Sequence, residues 1–299
     1  MNEPQLHVVD RSPRGAVRVA GADATSFLQS LVSQDLEGVA DGEGAHSLLL
    51  TPQGKLDVDF RALRVGDEWC LDCDAEYGPR LAESLNRFRI RVNLEIDEHT
   101  ATTGMVSMIG AAAEGVPEVA HAHRPVDGVR VVFAPWAGVR GFDVLGPLDA
   151  VRDWYRAVDP AVERWSPEQL EAFRIESGIP RQGLDVDEKT IPQEASLERD
   201  AVSFTKGCFL GQELVCRIDT RGHVNRHLRR VRIAGTPGVP RGATIVSGDR
   251  EVGTVTSAAA VPDEARTVAL AMVRREIEPP AEVTVRWDGG SAPGDLHPL

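Results

Sequence analysis

The chain has 299 residues, 42% of them apolar, with a formal net charge of −13 and an isoelectric point near 5.1. That length passes the roughly 250 residues at which single cores stop growing, so two or three cores are expected. The acidic balance argues against a general binder of nucleic acid or anionic membrane.

Four cysteines, Cys70, Cys73, Cys208 and Cys216, are too few and too scattered for a disulfide scaffold. Residues 1–4 open no secretory leader, and no apolar run nears the ~20 residues of a membrane span. A cytoplasmic protein is expected.

Residues 17–20 read as a strand ending at Gly21, and Asp23 as the cap of a helix that aligns Phe27, Leu28, Leu31 and Val32. Residues 46–51 and 56–65 form an expected hairpin around Pro52-Gln53-Gly54-Lys55, with Gly54 at the tight position. A strand at 68–74, a helix at 77–88 with Leu81, Leu85 and Phe88 inward, and a strand at 92–96 complete the first unit. Antiparallel strands packed on helices make the class α+β.

Two patterns in this half invite chemistry. Cys70-Leu71-Asp72-Cys73 has the spacing of a redox or zinc motif. Strand residues three apart point to opposite faces, however, and no second such pair follows, so a structural reading is preferred and no metal is assigned. Asp57 and Asp59, two residues apart, are expected on one strand face, either solvated or, for one of them, turned to a cationic or N–H-rich ligand.

Residues 101–110, 129–133 and 141–145 read as strands of a second α+β unit, with an exposed loop at 111–127 and a helix from Pro147 through Trp154 and Tyr155. Ser166 caps a further helix that starts at Pro167, buries Leu170, Phe173 and Ile175, and stops at Gly178. Its last turn carries Glu176, where the helix dipole disfavours a carboxylate. Such a charge either pairs with Arg174 or Arg181 or is kept for a ligand that offers adjacent N–H donors.

Lys206-Gly207-Cys208-Phe209-Leu210-Gly211-Gln212-Glu213 gathers a cation, a thiol and a carboxylate beside two glycines, which permit positive φ or close approach to the main chain. Cys208 is either a small buried hydrophobe or a thiol whose thiolate is favoured by Lys206 and by the helix that opens at 213–216. Downstream, Arg217, Arg221, Arg226, Arg229, Arg230 and Arg232 crowd an otherwise acidic chain. They either pair with the surplus acids or build an anion site. Short strands at 228–233, 243–247, 251–257, 267–273 and 282–287, with a loop at 234–242, describe a small antiparallel barrel or sandwich. The expected divisions are 1–100, 101–226 and 227–299.

The segment from Lys206 to Glu213 resembles the signature K-G-C-Y/F-x-G-Q-E of the YgfZ-type folate-binding proteins, relatives of the glycine-cleavage aminomethyltransferase, or T-protein. Arg174-Ile175-Glu176-Ser177-Gly178-Ile179-Pro180, Ile191-Pro192-Gln193-Glu194-Ala195 and Arg221-Gly222-His223-Val224-Asn225-Arg226 also fit. So do Gly21-Ala22-Asp23-Ala24-Thr25-Ser26-Phe27-Leu28-Gln29 and Pro52-Gln53-Gly54-Lys55, and the resemblance spans most of the chain.

This resemblance implies pseudo-duplicated antiparallel-sheet and helix units around a central cavity, a small C-terminal barrel, and tetrahydrofolate or a one-carbon derivative as cofactor. By the same resemblance Glu176 holds the pterin, Asp59 lies near the reactive nitrogen, and Gln212 belongs to the binding set. Arg217 and Arg221 are assigned to the glutamate tail. Cys208 is the functional thiol, and Lys206 joins Cys208 and Asp59 as the catalytic group. T-proteins carry Gly-Gly-x-x-Asp-Asp where this chain has Gly54-Lys55-Leu56-Asp57-Val58-Asp59, so the first acid of the pair is replaced by Val58.

The implied function is that of a tetrahydrofolate-binding accessory protein in making or repairing iron–sulfur proteins, tRNA-modifying enzymes among them, with those proteins as clients. The alternative is a tetrahydrofolate-dependent aminomethyltransferase or demethylase in which Asp59 orients or deprotonates the reactive amine.

Overall fold

In strand Glu68–Asp74 successive side chains leave opposite faces. Trp69, Leu71 and Cys73 enter a core shared with Phe27, Leu28 and Leu31 of helix Ala24–Leu31 and with Leu81 and Leu85 of helix Gly78–Phe88. Cys70, on the other face, packs with Leu63, Met105, Val132 and Leu145. The two cysteines thus belong to different clusters, as the alternation requires, and burial pushes their thiols up to about 11 for Cys70 and about 12 for Cys73.

The computed structural model describes residues 5–235, 238–261 and 264–299; the reading of residues 1–4 and part of the loop at 234–242 lie outside them. Two compact units result, Met1–Trp165 with Arg199–Gln212, and Ser166–Glu198 with Glu213–Leu299.

The first unit holds two sheets. One is antiparallel with five strands, ordered Gly44–Leu50, Leu56–Val65, Glu68–Asp74, Arg14–Ala20 and Glu95–Glu98. The other has six, ordered Glu163–Arg164, His7–Asp10, Thr103–Ile109, Gly141–Pro147, Val129–Phe133 and His123–Val126. Helix Leu148–Ala157 covers the outer face of the six-stranded sheet through Val151, Trp154 and Tyr155.

The facing surfaces meet through charge as well as through apolar contact. Arg61 donates from Nε to Asp72 at 2.7 Å and from Nη1 to Asp143 at 2.8 Å, so one guanidinium joins the two sheets. Arg14 adds a bond to Asp72 at 2.9 Å, and Ser107 Oγ donates to Asp143 at 2.6 Å. Burial opposes ionisation of Asp72, yet Arg61 and Arg14 outweigh it and hold the carboxyl down at about 2.

Several expectations are corrected here. Asp23 does not cap its helix by side chain; its carboxylate accepts from Asn93 N at 2.6 Å. The loop expected at 111–127 contains the strand His123–Val126, anchored by buried His123.

In the second unit Ser166 and Gln169 form a capping box at the start of helix Pro167–Glu176. Its buried stripe is Ala172, Arg174 and Ile175, with Leu170 and Phe173 only half-buried. Arg174 goes inward because Glu171, Asp185 and Ser257 all receive its guanidinium. The helix packs on barrel strands Arg250–Ala260 and Arg266–Arg274. That contact is why the observed unit boundary lies at 165, where the sequence reading divides the chain at 100 and 226.

The barrel is closed, ordered Arg226–Ala234, Arg266–Arg274, Arg250–Ala260, Thr244–Ser247, Ala281–Trp287 and Gly290–His297. Its last strand escapes the pattern because two of its inward residues are small, Ala292 and Gly294, before Leu296. No helix among the described residues is long and apolar enough to cross a membrane.

Arg61→Ala should cost about 3–5 kcal/mol, because it removes a shared cation from two buried carboxylates. Arg156→Ala, which breaks only an exposed pair with Asp153, should change stability by less than about 0.5 kcal/mol. Urea unfolding of both variants checks this, and equal effects would contradict the bridging role.

Candidate functional site

The bend before helix Gln212–Arg221 is stitched to the first unit. Ser33 Oγ donates to Ala201 O at 2.5 Å, Ser203 N to Ser33 O at 2.9 Å, and Gln34 Nε2 to Asp200 O at 2.8 Å. Lys206 completes the attachment. Its Nζ donates to the carbonyls of Gln29, Val32 and Gln34 at 2.7, 2.7 and 2.9 Å.

A helix leaves its last carbonyls without intrahelical partners, and a cation suits that end of the dipole. Helix Ala24–Leu31 finishes there, so the ammonium answers a need created by the fold. All three ammonium protons are committed. Burial pulls the Lys206 pKa down to about 8, against the opposing effect of Asp35 and Glu37. The cation expected to activate Cys208 is therefore engaged with main chain, while Cys208 itself stands exposed.

Gly211 brings this bend onto the hairpin turn. Its φ is +79°, and a Cβ there would lie 2.4 Å from Thr51 O and 3.0 Å from Gly54 Cα. Only glycine tolerates both conditions. The turn is closed by Thr51 N to Lys55 O and Gly54 N to Thr51 O, each 2.8 Å. Gly207, by contrast, has open space around its Cβ position. Gln212 closes the bend locally, its Oε1 accepting from Phe209 N at 2.9 Å.

Asp57 and Asp59 do not share a face. Leu49 pairs with Val58 and Leu50 with Leu56, which leaves Asp57 as the extra residue of a bulge. Its carboxylate accepts from Arg80 Nε and Ser84 Oγ, both at 2.7 Å, on helix Gly78–Phe88. Asp59 instead meets His46 Nε2 at 2.5 Å. His46 stands opposite Arg61 and Asp59 opposite Leu48, so the pair is diagonal across the hairpin. Sequence reading assigns His46 no part; the signal lies only in the strand register. Burial opposes its protonation, but Asp59 outweighs burial and raises the His46 pKa.

Glu176, in the second unit, accepts from Arg232 Nε at 3.0 Å and from Arg266 Nη1 at 2.8 Å, while Arg230 Nη1 donates to its main-chain carbonyl at 2.9 Å. Burial would raise this carboxyl, and the two arginines lower it. The awkward charge at the helix end is balanced by the barrel, and by neither Arg174 nor Arg181.

Glu194, buried, is held by Arg226 at 2.9 Å. The arginine-rich strip thus divides. Arg226, Arg230 and Arg232 serve the fold, whereas Arg217 and Arg221 are exposed, lie four residues apart on one helix face, and pair with no acid among the described residues.

Gly211→Ala should destabilise by about 1–3 kcal/mol through strain and overlap, and Gly207→Ala by less than about 0.5 kcal/mol. Thermal unfolding separates them, and equal shifts would refute the close approach. A second expectation concerns pH. Because the folded pKa of His46 is raised, its contribution is complete below the ordinary value near 6.5 and fades as pH rises through the raised value. The stability gap between wild type and His46→Gln should shrink from about pH 6 to about pH 9 in urea titrations; a constant gap would sink the pairing.

Residues 226–298 match the family model described as the glycine cleavage T-protein C-terminal barrel domain. Similar proteins include an aminomethyltransferase of Rubrobacter xylanophilus, 26% identical over 292 residues, covering 93% of this chain and 78% of the relative. Another is the mitochondrial iron–sulfur cluster assembly factor IBA57 homolog of Mycosarcoma maydis, 26% identical over 243 residues, covering 75% of this chain and 57% of the relative. Among solved structures, glycine cleavage system aminomethyltransferase T from Bartonella henselae superposes with a TM-score of 0.86 at 19% identity, covering 99% of this chain and 86% of that one. The fold is that of this aminomethyltransferase, α+β with a closed six-stranded C-terminal barrel.

Proposed function

We propose that the protein binds tetrahydrofolate or a one-carbon derivative and acts as an accessory factor for iron–sulfur proteins, those of tRNA modification included. The observation that carries this reading is the junction in the first unit. Gly211 seats the signature bend on the hairpin turn, and that bend presents Cys208 to solvent. The adjoining strand offers a single acid for one-carbon chemistry, since Asp57 is tied to Arg80 and Ser84 and Val58 is buried. Similarity to an assembly factor supports the accessory role, and similarity to aminomethyltransferases supports folate.

The residues suit a folate in part. Asp59, half-buried and held by His46, is a carboxylate able to accept from an N–H group of the bound ligand. In the second unit Arg217 and Arg221 supply exposed cations for carboxylates. Glu176 remains the proposed pterin partner as a carboxylate already fixed by two guanidiniums, so its engagement requires exchange of a hydrogen bond. Folate, when bound, supplies a nitrogen that carries or accepts the one-carbon unit.

A second reading, folate-dependent aminomethyl transfer or demethylation, is favoured by the His46–Asp59 pair. An ionised carboxylate steadied by a neighbouring imidazole can orient or deprotonate a reactive amine.

Calorimetric titration with tetrahydrofolate should show binding in wild type and at least about tenfold weaker binding in Glu176→Gln. Absent binding in wild type overturns the folate reading, and unchanged binding in Glu176→Gln removes that residue. Cys208→Ala should impair iron–sulfur enzyme activity in a deletion strain, with Asp59→Asn largely complementing. The reverse pattern, with turnover abolished by Asp59→Asn, selects the transferase.

A further inference from the structure

Helix Gly78–Phe88 is held to its core by Leu81 and Leu85, and the chain returns to that core at Leu94. Between these anchors residues 86–91 are all exposed and read Asn-Arg-Phe-Arg-Ile-Arg. Phe88 is 38% exposed and Ile90 72%. Arg87 has a surface partner in Glu83, while Arg89 and Arg91 pair with no acid among the described residues.

The projection is held in shape. Ile90 N donates to Phe88 O at 2.8 Å, Arg91 takes a left-handed φ of 56°, and Asn93 is clasped by Asp23 through both its N–H and its carbonyl. Gly21 lies so close behind that a Cβ would sit 2.5 Å from Asn93 O. Two large apolar side chains alternate with three guanidiniums across the end of the helix and the loop that follows it, in a chain of net charge −13. Folding gains nothing from leaving Phe88 and Ile90 in water, and aromatic and arginine side chains together are what protein contacts favour.

We propose that residues 87–91 form a docking surface for an acidic segment of another protein. Phe88 and Ile90 supply the desolvated contact, and Arg87, Arg89 and Arg91 supply complementary charge. An extended polyanion fits less well. At a Debye length of about 8 Å, a membrane or long RNA reaches past the patch to the acidic remainder of the surface, whereas a short segment stays within the basic strip. This surface is independent of the folate reading.

The probe is a short fluorescein-labelled peptide of alternating Glu and Leu, titrated against the full chain by anisotropy at about 0.15 M salt. It should bind wild type, and Arg89→Glu/Arg91→Glu should weaken it at least about tenfold. Phe88→Ser/Ile90→Ser should do the same, and a Lys-Leu peptide should not bind. All four substitutions are on exposed side chains, and unchanged unfolding midpoints would show that the variants keep their fold. Absent binding, or equal binding to wild type and both variants, overturns the proposal. So does tighter binding to single-stranded RNA or to phosphatidylserine–phosphatidylcholine vesicles. A dimer seen by light scattering and abolished by Arg89→Glu/Arg91→Glu would assign the surface to a second copy and likewise overturn it.

Discussion

Arg61 is the constraint on which the first unit rests. Its guanidinium lies between Asp72 of one sheet and Asp143 of the other, in an interior where a lone charge would be expensive. Such a bridge adds little net stability over a well-packed apolar pair, because desolvation offsets most of the attraction. Its geometry is demanding, however. Arg61 must face the second sheet, so the strand's alternation sends Phe60 and Ala62 to the helices and places Asp59 beside His46. The position of the candidate acid is therefore a consequence of the register that the buried bridge requires.

A second dependence links two distant stretches. The bend at 206–212 attaches through Lys206 to carbonyls at and just beyond the end of helix Ala24–Leu31, and through Gly211 to the turn at 51–54. A lysine followed by glycine and cysteine reads as reactive in a linear sequence. In the folded chain it is an anchor, and the thiol two residues on remains at the surface. The chemical potential of the motif lies in what the anchor presents, namely Cys208.

Legibility varied with the kind of force involved. Capping and apolar spacing are local, and helix Pro167–Glu176 and five of the six barrel strands follow from them. The bulge at Asp57 is invisible to a period of two, because one extra residue in one strand changes which face a side chain takes without altering composition. Strand Gly290–His297 was equally hidden, since small residues fill positions where bulk normally marks the inside. Glu176 shows the same limit for charge: its partners Arg232 and Arg266 lie 56 and 90 residues away in the chain.

Sequence alone determined the α+β class, the run of short C-terminal strands, the divergence of Cys70 and Cys73, and the glycine that lets the bend at 206–212 approach the hairpin turn. These depend on patterns within a few residues, where backbone period and side-chain type act directly. Tertiary structure decided which acids were tied down, that Lys206 anchors, that His46 accompanies Asp59, and that Arg217 and Arg221 meet no acid among the described residues. Those outcomes are set by which strands pair and which elements pack together, because an ion pair or a close glycine contact depends on distance in space and not on separation along the chain.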